Sequence, residues 1–330
     1  MAIMKTYTRA EKEWLRKMNT ATPYVKKKDV VIPAVPESDE PLVVESNQKR
    51  GLCDVAGMDE LKTLVTEGFI NVLRNIECAK AFGITPPSLL LYGPAGCGKT
   101  YFAEKVADEL GINFMKIVPD DLASTLVHGT QEKIGHIFRE AQKKAPTLIF
   151  FDEFDALVPR RTCDERNYQN GEVNEFLCML NNAPQKGIYV LAATNHPERI
   201  DKAVLRTGRI DELIYVGMPD AEARKSLFRY ELSKLPVADG INYAKLADLT
   251  AGYNCSDISY IVKVASRKVF NESIKDKEKP YLLITQDLIE ESIAHKAPSV
   301  SSRDLKEFER LRIEFSPRDT NVKPSVVGFV

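Results

Sequence analysis

The chain has 330 residues, with 46 Lys+Arg against 47 Asp+Glu and a formal net charge of −1. A hydrophobic share of 44% beside 28% charged residues is that of a globular protein able to bury a core, as one large domain or two ordinary ones. Near-neutral charge argues against a generic nucleic-acid binder, no apolar run approaches the ~20 residues of a membrane span, and the six cysteines form no CxxC pair or zinc-type cluster. The N-terminus has no apolar secretory core, so a cytoplasmic location is expected.

Residues 1–50 are expected to be an N-terminal helix and linker. Thr8-Arg-Ala-Glu11 resembles a capping box, and Ala10, Trp14 and Met18 then share one helical face. Pro23, Pro33, Pro36 and Pro41 mark an extended linker after it. The Trp14 helix either packs on its own domain or docks a partner on a tether. From Gly51 apolar runs alternate with amphipathic stretches. The expected strands are Ser88–Tyr92, Phe114–Ile117, Thr147–Phe151, Ile188–Ala193 and Leu213–Val216. That alternation predicts an α/β fold, a parallel sheet sandwiched by helices, over residues 51–219. After Pro219 no strand series is expected. Helices are expected over Ala221–Lys234, Tyr243–Leu249, Ser256–Phe270 and Gln286–His295, giving a small all-α domain at 220–300. Ser301-Ser-Arg-Asp304 could cap a last helix, Leu305–Glu314, within a C-terminal helix and tail at 301–330.

Gly93-Pro94-Ala95-Gly96-Cys97-Gly98-Lys99-Thr100 fits G-x-x-x-x-G-K-[ST], directly after an expected strand and before a helical stretch that opens at Tyr101. The glycines let backbone N–H groups converge on phosphate oxygens. The helix N-terminus adds positive partial charge. Lys99 supplies a full charge to the terminal phosphates, and Thr100 a hydroxyl to Mg2+, a hard cation that prefers oxygen. Cys97 stands near a helix N-terminus, which lowers a thiol pKa, so its oxidation is a candidate block on ATP binding; a small residue that simply fits is the plainer alternative.

Thr147–Phe151 runs into Asp152-Glu153. Ligands of parallel sheets bind beyond the carboxyl ends of the strands, so both acids should face the phosphate loop. There Asp152 is expected to hold Mg2+, and Glu153 to polarise the attacking water as a general base. The alternative is two solvated acids opening a helix.

With these residues in place the chain resembles the AAA ATPases in the narrow sense, over about Leu52 to Leu288. Asp54-Val55-Ala56-Gly57 resembles the segment that meets adenine through its backbone. Phe151-Asp-Glu-Phe-Asp-Ala-Leu157 is similar to the acidic motif. Ala192-Ala-Thr-Asn195 resembles the polar sensor, which makes Asn195 a partner of the γ-phosphate or the attacking water. Ile200–Asp211 resembles the second region of homology, which makes Arg206 and Arg209 arginine fingers reaching a neighbour's site. Gly252–Ile258 resembles the start of the lid helix over the adenosine, where Cys255 and Ser256 replace the usual Gly and Ala. A finger serves only another subunit, so the resemblance implies a ring, in this family a hexamer.

The pore-loop position holds Val127-His128 where most relatives carry an aromatic and an apolar residue, and Val127 offers less area to grip a threaded chain. Arg160, Arg161 and Thr162–Gly171 are either a second pore loop or a solvated cluster. Two functions follow from the resemblance. One is a ring that spends ATP to remodel, disassemble or unfold a protein partner, by rotation about a Val216–Asp220 link. The other is a nucleotide-controlled switch or loader that clamps a partner or adaptor without threading it.

Overall fold

The computed structural model describes residues 24–25, 51–122, 129–160, 176–206, 208–275 and 281–315. Trp14, Val127-His128 and residues 161–171 lie outside the described residues. Five strands form one parallel sheet: β1 (Leu89–Tyr92), β2 (Asn113–Ile117), β3 (Thr147–Phe151), β4 (Ile188–Thr194) and β5 (Glu212–Tyr215). Their order across the sheet is β2-β3-β4-β1-β5. Each expected strand is present, with its ends within one residue of the expected ones. Every residue of β1 and β3 is buried, as a sheet covered on both faces requires. The edge strands β2 and β5 are only partly buried, which leaves room on them for Lys116 and Glu212.

The helix α1 (Lys99–Leu110) follows β1, and α2 (Gly129–Lys143) lies between β2 and β3 in sequence. Ile134, Phe138 and Ala141, spaced by four and three residues, form the buried stripe of α2. A short helix α3 (Phe154–Leu157) opens after β3. Phe138, Phe151, Phe154 and Phe176 join in one ring cluster; the Phe151 and Phe176 centroids are 5.1 Å apart, edge to face. Residues 59–81 are also helical, interrupted by a wider turn at Thr66–Ile70, and bury Val65, Phe69 and Ile70 completely.

The described residues group into two compact units. One holds Asp59–Gly217 and the residues from Val300 on; the other holds Met218–Ser299 with the segment ending at Met58. The second unit is built from α4 (Ala221–Leu232), α5 (Tyr243–Leu249), α6 (Cys255–Ser273) and α7 (Gln286–Ala294). Phe228, Leu246, Ile258, Ile261 and Ile289 fill its core, all fully buried. Asp220, Asn242 and Asn254 cap α4, α5 and α6 with side-chain acceptors, and Asn254 with Asp257 completes a capping box. Tyr24–Val25 pairs antiparallel with Tyr281–Leu282. That two-residue pair adds no strand series after Pro219, and two residues are too few to leave a period in a sequence.

The last helix, α8 (Ser302–Phe315), belongs to the α/β unit. Ser301 and Asp304 cap it reciprocally, with Asp304 N donating to Ser301 Oγ and Ser301 N to Asp304 Oδ2, each at 3.2 Å. Its Phe315 ring meets Tyr92 at 5.4 Å, edge to face, and the Arg312 guanidinium lies 5.6 Å from the Tyr215 ring. The helix therefore rests on the final residues of β1 and β5.

Candidate active site

β1 sits between β4 and β5, although its sequence neighbour β2 lies at the far edge. The crevice at the carboxyl end of β1 is thus a topological switch point, the place where open parallel sheets bind ligands. Tyr92 ends β1 and its carbonyl accepts from Val216 N at 2.8 Å. This brings Gly93 so close that a Cβ on it would lie 2.1 Å from the Val216 carbonyl oxygen, so only glycine fits. Gly98 caps α1 in the left-handed region at φ 86°, again a glycine conformation.

Lys99 opens α1 and is buried. Its ammonium donates to the carbonyls of Gly93 and Pro94, both at 2.8 Å, so the lysine braces the loop it belongs to. Burial lowers its pKa to about 8, opposed by the neighbouring Cys97 and Asp152 side chains. Ala95 is exposed, Gly96, Gly98, Thr100 and Tyr101 are half-buried, and Pro94 is buried. Cys97 is completely buried. Of the two readings of this position, complete burial agrees with the plainer one, a small residue that fits beneath the loop.

Thr100 Oγ1 donates to Asp152 Oδ2 at 3.0 Å, so the two expected Mg2+ ligands meet across 52 residues of chain. A hydroxyl and a carboxylate oxygen together fit a hard, oxygen-seeking cation, with its other positions left to phosphate and water. No group of three or more His, Cys, Asp or Glu gathers as a metal cage among the described residues. Lys116, on β2, reaches the same Asp152 Oδ2 at 3.0 Å. Sequence reading passed over Lys116, because a lysine in a half-exposed strand carries no motif.

Glu153 adopts φ 49° and ψ 48°, the left-handed region, at a cost of roughly 1–3 kcal/mol for a side chain of this kind. It is exposed, stands at the N-cap position of α3 and makes no side-chain capping bond to it. Its backbone N–H donates to Asp152 Oδ1 at 3.1 Å. Beside it, Thr194 Oγ1 donates to Asp155 Oδ1 at 2.5 Å and accepts from His196 N at 2.8 Å. Those bonds fix the exit of β4, where Asn195 stands half-buried. Asp155 and Thr194 were not singled out from the sequence; the acidic motif and the strand end that carry them were.

Residues 89–218 match the family model of the ATPase family associated with various cellular activities (AAA). The chain belongs to the AAA ATPase family. It is 34% identical over 273 residues to the cell division cycle protein 48 homolog of Archaeoglobus fulgidus, covering 79% of this chain and 37% of that protein. It is 36% identical to the ATPase family gene 2 protein of Saccharomyces cerevisiae, over 67% of this chain and 29% of the relative. Against the ATPase family gene 2 protein homolog A of Homo sapiens the identity is 34%, over 67% of this chain and 25% of the relative. The chain thus spans between 25% and 37% of the length of these AAA relatives.

Residues implied by the family resemblance fall in three places. Arg206 and Arg209 lie in the loop before β5, the first exposed and the second half-buried. Asp211 fixes that loop: its carboxylate accepts from Gly208 N at 2.8 Å and from Ser88 N at 2.9 Å. The anchor is therefore at the entry of β1, a four-residue strand of about 13 Å away from the phosphate loop at its exit. The Arg209 guanidinium donates to the Ala203 carbonyl at 2.7 Å. Asp54, Val55, Ala56 and Gly57 belong to the helical unit, where a Cβ on Gly57 would meet Ala223 at 2.5 Å. Cys255 and Ser256 open α6 in that unit. Burial pushes the Cys255 thiol up to about 11, which keeps it protonated and unreactive. No helix among the described residues is long and apolar enough to cross a membrane.

Proposed function

We propose that this chain binds ATP with Mg2+ at the exit of β1 and hydrolyses it within a ring of identical subunits to remodel a bound protein. The observation that carries the nucleotide reading is the meeting of Thr100 and Asp152 at 3.0 Å beside a glycine-locked loop braced by Lys99. Thr100 and Asp152 would hold Mg2+, which supplies charge neutralisation on the phosphate oxygens. Lys99 and the backbone N–H groups of residues 95–101 grip the phosphates. The family resemblance assigns Asp54–Gly57, Cys255 and Ser256 to the adenosine. Glu153, strained and unencumbered, takes a proton from the attacking water, and Asn195 orients that water.

Arg206 and Arg209 act on a neighbouring subunit's triphosphate. Support comes from their loop being tied to the entry of β1, a strand's length from their own phosphate loop. A head-to-tail contact of this kind closes into a cyclic oligomer, for which six subunits is the family expectation. The client is a protein, reached through the loop at Val127-His128 or through the Trp14 helix. The weak aromatic character of Val127-His128 favours a second reading, in which the ring clamps and releases a partner without threading it.

Glu153→Gln tests the chemistry. The variant should keep ATP affinity and lose turnover by about 10²–10⁴-fold, the range for a general base. Steady-state phosphate release and equilibrium nucleotide binding read the two quantities separately. Undiminished release would remove Glu153 from the base role.

A further inference from the structure

We propose that Lys116 is a built-in counter-ion that takes the place of the divalent cation at Asp152 and sets how strongly nucleotide binding depends on Mg2+. The inference rests on the nucleotide site proposed above. Lys116 lies on β2 opposite Phe150 of β3, and Asp152 N donates to Ile117 O at 3.0 Å, so β2 runs beside β3 up to its acidic end. From there the ammonium reaches Asp152 Oδ2 at 3.0 Å, the same oxygen that accepts from Thr100 Oγ1 at 3.0 Å. The charge therefore sits on the carboxylate oxygen that a cation bound to Thr100 and Asp152 would use.

A lysine on a half-exposed edge strand is free to extend into water, and an ion pair exposed to this degree contributes little to stability. Its consequence is electrostatic. Without a metal, Asp152 would repel an incoming triphosphate, and Lys116 offsets that repulsion. With Mg2+, the ammonium and the divalent cation compete for one carboxylate, and Lys116 must turn aside. The residue thus narrows the gap between metal-free and metal-bound affinity.

The test measures the affinity of the full chain for a fluorescently labelled, non-hydrolysable ATP analogue, once with Mg2+ and once with excess EDTA. In Lys116→Met the metal-free affinity should fall by about threefold while the Mg2+ affinity holds or improves, so the ratio of the two rises by about threefold or more. Lys116→Arg, which keeps the charge, should retain the parent ratio. A ratio unchanged in Lys116→Met overturns the proposal. Equal loss in both arms, as a direct contact from Lys116 to phosphate would give, overturns it as well. Should the parent chain bind the analogue in neither arm, the nucleotide-site reading itself fails; binding by the parent with no change of ratio sinks only the role of Lys116.

Discussion

Lys99 is charged in a place that disfavours charge: burial brings its pKa down to about 8. A triphosphate beside it favours the ammonium and raises that pKa. Below pH 8 the free chain already carries the proton, so affinity should be flat there. As pH rises through 8 the free chain loses the proton and must regain it on binding. ATP affinity should then fall, by at most about tenfold per pH unit for one proton. Titrations of labelled nucleotide between about pH 7 and 9.5 check this, and a flat profile would mean that Lys99 stays protonated in the free chain. The residues of the loop were legible because their spacing along the chain is itself the motif. Lys116 was not, since its meeting with Asp152 depends on the register of β2 against β3. For Cys97 the sequence left two readings open, a reactive thiol or a small residue that fits, because proximity to a helix N-terminus is visible in sequence whereas complete burial is not.

At the scale of elements, Arg224 has a position that its sequence context does not suggest. It lies on α4, is buried, and donates to two carbonyls: through Nε and Nη2 to Ala247 at 3.1 and 3.0 Å, and through Nη1 to Pro219 at 2.8 Å. It thereby fastens the residues before α4 to the last turn of α5, where a cation also suits the helix dipole. Arg224→Met should destabilise the chain by about 1–3 kcal/mol, because the carbonyls lose a buried donor. Denaturant midpoints followed by far-ultraviolet circular dichroism measure this; an unshifted midpoint would mean that water satisfies those carbonyls. The helices themselves were legible from period and caps, with Tyr243–Leu249 at its expected bounds and α6 opening one residue before the expected Ser256, at a capping box on Asn254, and running three residues past Phe270. Where α8 lands was not legible. Its stripe of apolar residues says that it packs, and only the folded chain puts Phe315 on Tyr92.

For the whole molecule, sharing of each site between subunits can be tested by mixing. Arg209→Ala should lose turnover by about 10³-fold or more, the scale of a finger acting on phosphoryl transfer. Lys99→Ala should lose nucleotide binding. Mixed together, the first supplies an intact phosphate loop and the second an intact finger, so some interfaces become complete and measurable phosphate release returns. No recovery on mixing would count against fingers working in trans and leave Arg209 with its bond to Ala203 as a local brace.

The sequence by itself determined the strand–loop–helix that grips phosphate, the acidic strand end and the five strands of the sheet, because each is a run of neighbouring residues whose period or spacing carries its own physical meaning. Tertiary structure decided what depends on strand order and register. It set β1 between β4 and β5, joined Thr100 and Lys116 on one oxygen of Asp152, and tied the arginine-bearing loop to Ser88. Such contacts join residues far apart in the chain. Their geometry follows from how a covered parallel sheet packs, and no local pattern encodes it.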